Sequence, residues 1–430
     1  MDDRVLCQVG REVLAPALGG FTQWVLGRAL GQGVERLYFL SRDGWYGYQL
    51  SKVLCRAWNL PLDCRYLYGS RYAWRLPLYH RDLPGAVAQL CGPGQPVTLR
   101  GLLARAGLSP VEQGAVLAWL KLPGEQVLTR GERRALGREL LACPAFLRGV
   151  ERHSRQALPD FLGYLRQEGL LEPVPWALVD SGWMGTTQET LGQALRLLGK
   201  SGSLRGYYAG LYRGPSLGRG EGYFFSPGRE LQVQAGFEPG LFEAVFSAPQ
   251  GMTLGYEFRR EGRAVPRLAK ASPCRKKQAL GQVFLTYSRA LAGEQPPPEG
   301  LEARGEGVRS QVWERLHRLM ASPTRQQAEA LGGLAFSSGL LEEDTSLAPK
   351  LTRKELSRNR LLPRLALEEG TVSSGWLPGS AALVERDPAP WFAAFDRVRW
   401  ARVLRLGAKA VMDQEGYPWK NGKNSSNTGL

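Results

Sequence analysis

The 430-residue chain is 43% hydrophobic and 22% charged, an ordinary globular composition that can bury a large core and suits two or three domains. A formal net charge of +16 favours anionic partners: nucleic acid, a phosphorylated small molecule or an acidic membrane face. Six cysteines without a Cys-x-x-Cys pair, and only three histidines, exclude zinc-ligand spacing and argue against a disulfide framework, so a cytoplasmic protein with reduced thiols is expected. Asp2 and Asp3 open the chain where a secretory leader would carry basic residues, and no apolar stretch reaches the ~18 residues of a membrane span.

In chain order, Val13–Leu30 predicts a helix, with Val13, Leu14, Ala17, Leu18, Phe21, Val25 and Leu26 close to a 3.6 period. Gly31–Gly33 ends it. Arg36–Leu40 is a short apolar run suited to a buried strand. Ser41-Arg42-Asp43-Gly44 breaks the run, and Tyr46–Trp58 is helical again. Arg65–Tyr68 is a second strand, ending in Gly69-Ser70-Arg71. A strand, loop, helix and strand in this order predict two parallel strands. Residues from Val97 to Leu171 carry helical patterns at Thr98–Ala106, Pro110–Leu120, Gly131–Leu141 and Leu147–Gly169.

The α/β pattern resumes at Val174–Val179, an apolar strand, followed by Asp180–Thr187 as a loop and Gln188–Leu198 as a helix. Leu204–Leu211 is a further strand. Phe242–Phe246 precedes a Gly/Pro turn at Ala248–Gly251, Gln278–Leu291 is helical, and Gln295–Glu299 is a Pro-rich boundary. Helices follow near Val308–Met320, Arg325–Leu331 and Lys350–Arg360. The expected organisation is one α/β core split between 1–80 and 173–292, a helical insertion over 81–172, a mostly helical region over 300–420, and a polar, disordered tail at 421–430. The fold class is a three-layer α/β protein with a mostly parallel, Rossmann-like sheet.

Two strand-to-helix junctions carry the chemistry. Such junctions offer free backbone N–H groups at the positive end of a helix, and ligands of open α/β sheets sit at the carboxyl ends of the strands. At the first, Arg42 is suited to grip a phosphate or carboxylate bidentately. Asp43 is a candidate metal ligand, general base or nucleophile beside Ser41 and Gly44. Ser70 and Arg71 add a hydroxyl and a guanidinium at the next strand end. At the second, Asp180 stands at the rim with Ser181, Gly182 and Gly185 are expected to let backbone approach a ligand, and Thr186 and Thr187 are expected to cap the helix and donate to phosphate. The plain alternative at each junction is an Asp that caps a helix or pairs with an arginine on the surface. Glu243 lies inside an apolar run, where an unpaired carboxylate is costly, and is a further candidate. Gly-x-Ser-x-Gly and Walker A motifs are absent. His80 and His153 have no partner at ligand spacing.

The segments ERLYFLSRDGWYGYQL, YLYGSRYAWRLP, VTLRGLLARAGL, ALVDSGWMGTTQETL, LRGYYAGL and LFEAVFSAPQGMTLGY, in this order, resemble a bacterial family of predicted hydrolases of the haloacid dehalogenase superfamily, over about residues 13–291. That family is associated with surface-polysaccharide biosynthesis and glycosyltransferases, and its Asp-x-Asp segment lies upstream of the matching region. The two junctions also resemble, in layout, the diphosphate and 5-phosphoribose loops of type I phosphoribosyltransferases. This chain keeps one of the two acids of the latter loop, Asp180, with Ser181 in the other place. The resemblances imply Mg²⁺ held by Asp43 and Asp180, and a transferase or hydrolase acting on a phosphosugar or sugar nucleotide. A phosphatase with Asp43 as nucleophile, and a non-catalytic partner of glycosyltransferases, are the alternatives; nucleic-acid binding stays open on charge alone.

Overall fold

A computed structural model describes residues 2–92, 97–260, 262–271, 273–297, 300–336, 345–361 and 374–414. The tail expected at 421–430 lies outside the described residues.

Five strands form the central sheet: β1 (Arg36–Leu40), β2 (Asp63–Leu67), β3 (Trp176–Trp183), β4 (Arg205–Leu211) and β5 (Arg219–Phe225). Their spatial order is β2-β1-β3-β4-β5 and every neighbouring pair is parallel. All five residues of β1 are buried, as the apolar run Leu37–Leu40 requires in a strand covered on both faces. Alternate residues divide between two cores. Leu37, Phe39, Ala177, Val179, Tyr207 and Ala209 pack with α1 (Ala15–Gly31), α2 (Trp45–Ala57), α6 (Arg275–Ala292) and α7 (Leu301–Ala321). Tyr38, Leu40 and Leu178 point the other way, onto α3 (Pro144–Gln167) and α4 (Thr186–Leu197). The result is the expected three-layer α/β fold.

Arg36 is the one charge inside β1. Its guanidinium donates to Asp63 at 2.7 Å and Glu172 at 2.8 Å, tying β1 to β2 and to the segment before β3.

The helical insertion between β2 and β3 has a core of its own, built from residues between Leu76 and Val150. Ser109 with Glu112 and Thr129 with Glu132 form reciprocal capping boxes that start two of its helices. The three-residue-spaced signal S/T-x-x-E is visible at both places in the sequence. His80 and His153 are satisfied here, by Ser154 at 2.8 Å and Glu112 at 2.7 Å. The chain beyond residue 300 packs into the same core as the sheet: Leu316, Leu319, Ala328, Leu331 and Trp376 belong to it.

Two elements depart from the sequence expectation. β5 joins β4 in parallel after only residues 212–218, an extended return too short for the helix such crossovers normally contain. An antiparallel hairpin, Thr253–Phe258 with Ala264–Leu268, follows α5 (Pro239–Phe246). Among the described residues, no helix is long and apolar enough to cross a membrane.

Candidate functional site

The chain winds outward from β1 in both directions, to β2 on one side and to β3 on the other. A crevice opens beyond the carboxyl ends of the strands at such a reversal. Here β1 stops at Leu40 while β3 continues alongside β4, with Asp180 opposite Tyr208 and Gly182 opposite Gly210. The first loop therefore lies beside the overhanging end of β3. Asp180, Ser181, Gly182 and Trp183 belong to that strand and not to a loop, which corrects the expected boundary at Val179. Pairing along β4 extends the strand past its apolar run.

A cleft of about 200 Å³ occupies this crevice. Ser41, Arg42, Asp43, Ser70, Arg71, Asp180, Ser181, Gly182, Thr186, Thr187 and Glu243 all line it, so residues from four separate stretches of sequence meet at one place. Gly44 and Gly185 do not line it. A Cβ at Gly44 would lie 2.6 Å from the Leu40 carbonyl oxygen, so this glycine closes the turn over the strand end. Gly185 adopts φ +66° and packs against Pro215, which a Cβ would approach to 2.8 Å. Gly182, at φ +134°, meets the carbonyl oxygen of Gly210. Close protein packing requires each of these glycines, and Gly182 also lines the cleft.

The hydroxyls are not equivalent. Ser70 Oγ accepts from Ala73 N–H at 2.9 Å and donates to the Thr253 carbonyl at 2.7 Å, so it caps the short helix Arg71–Arg75 and is committed. Ser181 Oγ donates to Asp43 at 2.8 Å. Ser41 Oγ is buried with no partner at full hydrogen-bond geometry, although the Tyr66 phenol feels it. The residue at the N-terminal cap of α4 is Gly185, so Thr186 and Thr187 occupy its first turn and cap nothing with their side chains, again against expectation. Both still face the cleft, where that turn has backbone N–H groups to offer.

Three carboxylates share the cleft: Asp43, Asp180 and Glu243. Each keeps a water-facing edge but is closely surrounded by protein. Burial pushes Asp43 up, and the Ser181 hydrogen bond and the charges of Arg42, Lys277 and Arg71 oppose that rise. Asp180 is held well above the usual carboxylate range by burial and by the charge of Asp43, against the hydrogen bond from Ser181 N–H at 2.9 Å. Glu243 is pushed up to about 7, first by burial and then by Asp43, while the indole N–H of Trp183 donates to it at 2.6 Å. A carboxyl displaced as far as Glu243 holds or releases its proton near neutrality, the property a general acid or base needs.

Among the described residues, no group of three or more His, Cys, Asp and Glu side chains is arranged to hold an ion. Mg²⁺ commonly takes only one or two carboxylates and completes its shell with phosphate and water oxygens. Asp43 and Asp180 fit that mode, since the hydrogen bonds from Ser181 engage one oxygen of each.

Trp183, Ser247, Met252, Ala335 and the charge of Lys277 complete the site without having been expected there. Trp183 was within reach of sequence reasoning, because it lies inside the Asp180–Thr187 segment. Glu243 and Ser247 are one helical turn apart, a spacing visible once α5 is drawn as a helix. Ala335 gave no signal. In comparisons with known proteins, the chain matches no family model and no curated protein.

Proposed function

We propose that the cleft binds a phosphorylated sugar or sugar nucleotide and acts on it as a transferase or hydrolase. The observation that carries this reading is the juxtaposition, at one strand-end crevice, of Arg42 and Arg71 with the three carboxyls of Asp43, Asp180 and Glu243. The guanidiniums of Arg42 and Arg71 meet the phosphate oxygens, and the first turn of α4, with Thr186 and Thr187, supplies neutral donors. Asp180 and Glu243 face the sugar hydroxyls. Asp43, aligned by the Ser181 hydroxyl, takes a proton from the attacking oxygen or returns one to the leaving oxygen. A bound Mg²⁺ would be held by Asp43 and Asp180 and would neutralise charge on the phosphate. A setting in bacterial surface-polysaccharide biosynthesis, with glycosyltransferases as partners, belongs to this proposal and rests on the sequence resemblance alone.

Calorimetric titration with glucose 6-phosphate, uridine diphosphate glucose and inorganic pyrophosphate tests binding. The reading expects at least one of them to bind, and Arg71→Ala and Thr186→Ala/Thr187→Ala to weaken it about tenfold or more each, in keeping with charge-assisted contacts. Full affinity in folded variants would sink it.

One observation favours a second reading, a phosphatase with Asp43 as nucleophile: Asp43 lies in the turn just beyond β1, beside the middle strand of the sheet, and faces the charges of Arg42, Lys277 and Arg71. Here an Asp43 carboxylate oxygen attacks phosphorus, the bond from phosphorus to the ester oxygen breaks and the departing alcohol takes up a proton, and water then hydrolyses the aspartyl phosphate to inorganic phosphate and free Asp43. It requires Mg²⁺-dependent phosphate release that disappears in Asp43→Asn. A wild-type protein inert on a panel of phosphate monoesters ends this reading.

A further inference from the structure

A second cavity, of about 240 Å³, lies between the start of the helical insertion and the outer side of α4. It shares no lining residue with the strand-end cleft. The same two helices separate the two spaces: Arg71 faces the cleft and Arg75, one turn on, lines the second cavity, while Thr186 and Thr187 face the cleft and Thr190 lines the cavity.

Two polar groups there are left wanting. The Arg75 side chain is half-buried and makes no hydrogen bond or ion pair among the described residues. Burial works against its charge, as does Arg71; Tyr79 and then Glu189 oppose this, and the Glu189 carboxylate is already engaged by Arg213 at 3.1 Å. The Tyr79 side chain is only 3% exposed, and its hydroxyl has no hydrogen-bond partner. Buried polar groups in folded proteins are nearly always satisfied, so the unsatisfied Tyr79 phenol, beside the unpaired, half-buried guanidinium of Arg75 at one cavity, points to a missing acceptor.

The lining also specifies what that acceptor is. Arg75 and Arg81 stand against Asp82, which leaves a net charge of +1. Asp82 already accepts from the Gly85 N–H at 2.9 Å. One positive charge matches a singly charged ion, and the Asp82 carboxylate repels a phosphate dianion. A planar carboxylate takes two parallel N–H bonds from one guanidinium and leaves a lone pair for a phenol O–H. Amide groups of Gln89 and Gln193 are further donors, while Leu78, Ala86 and Leu197 form an apolar wall. At about 30 Å³ per water-sized unit, the cavity takes roughly eight such units, the size of a small aromatic or branched acid.

We propose that this cavity is a separate binding site for a small monocarboxylate with a compact apolar body, held by Arg75 and the Tyr79 hydroxyl. The site does not depend on the reading of the cleft. Benzoate is the probe, with benzyl alcohol as the neutral analogue of the same shape and inorganic phosphate as the competing anion.

Ligand-observed NMR and calorimetry on the full chain should give a Kd for benzoate of about 1 mM or below, the range open to a ligand of this size. Benzyl alcohol should bind at least about tenfold more weakly, and Arg75→Met should weaken benzoate about tenfold or more, because the charge-assisted bonds are lost. Tyr79→Phe removes only an oxygen that has no partner. It should keep the melting temperature and still weaken benzoate about threefold or more, a change of one hydrogen bond. This variant keeps the test decisive even if Arg75→Met fails to fold. The proposal is overturned if benzoate binds no better than benzyl alcohol, if Tyr79→Phe leaves its affinity unchanged, or if inorganic phosphate displaces it on equal terms.

Discussion

Replacing Gly182 with alanine probes how the overhanging end of β3 is held. An added Cβ would stand 2.0 Å from the carbonyl oxygen of Gly210. Ordinary contact begins near 3.4 Å, so the strands would have to part by more than an ångström at this point. The obstacle is backbone, and no rotamer change relieves it. The residue also holds φ +134°, a region an L side chain rarely enters. Strained backbone of this kind costs about 1–3 kcal/mol, and forced packing about 1–3 kcal/mol more. Gly182→Ala should therefore lose about 2–6 kcal/mol, a large part of the 5–15 kcal/mol typical of a domain. Urea unfolding followed by far-ultraviolet circular dichroism measures it. Any variant population that folds should also carry a displaced Ser181 and bind cleft ligands weakly. A loss under about 1 kcal/mol would show that β3 and β4 yield easily, and would refute the packing argument.

Further outcomes are expected. Glu243 holds its proton up to about pH 7 in the fold, against an ordinary carboxylate value of 4.5. Between those values the unfolded chain releases a proton that the native state keeps. Stability should therefore fall as pH rises from about 4.5 to 7 and flatten beyond, by up to about 3 kcal/mol. Asp43 and Asp180 are displaced the same way, so Glu243→Gln should reduce that slope in pH-dependent urea melts without abolishing it. Trp183→Phe removes the donor at 2.6 Å from Glu243 and should raise the Glu243 pKa further, visible as a titration midpoint at higher pH in carboxyl ¹³C NMR. If the cleft is catalytic, Asp43→Asn should cut turnover about 10²–10⁴-fold while leaving the circular dichroism spectrum intact. Arg36→Met breaks the bonds to Asp63 and Glu172; both carboxylates remain hydrated, so the cost should stay near 1–3 kcal/mol in a thermal melt.

The parts legible in the sequence were those with a strong local signal. Arg36–Leu40 reads as a buried strand because five residues in a row are accommodated only between two helical layers. The loops after β1 and β2 were legible because polar residues end an apolar run abruptly. β5 escaped because its first half, Arg219 to Gly222, carries no apolar residue and its connection is shorter than a parallel crossover usually allows. The hairpin escaped because its turn holds Arg259 and Arg263, paired backbone to backbone at 3.0 Å, within what reads as a basic cluster. The glycines of the second junction suggested a ligand cradle, but their neighbours, Gly210 and Pro215, are far along the chain. Strand order, which sets Asp43 beside Ser181, is likewise a property of tertiary pairing and leaves no trace in local sequence.

The central claim, that the strand-end cleft is an anion site, is met most directly by diffraction from crystals soaked in tungstate, an electron-dense analogue of phosphate. The anomalous peak should lie between Arg71 and the first turn of α4, within reach of Thr186 and Thr187. A peak confined to surface arginines elsewhere, with none in the cleft, would contradict the claim.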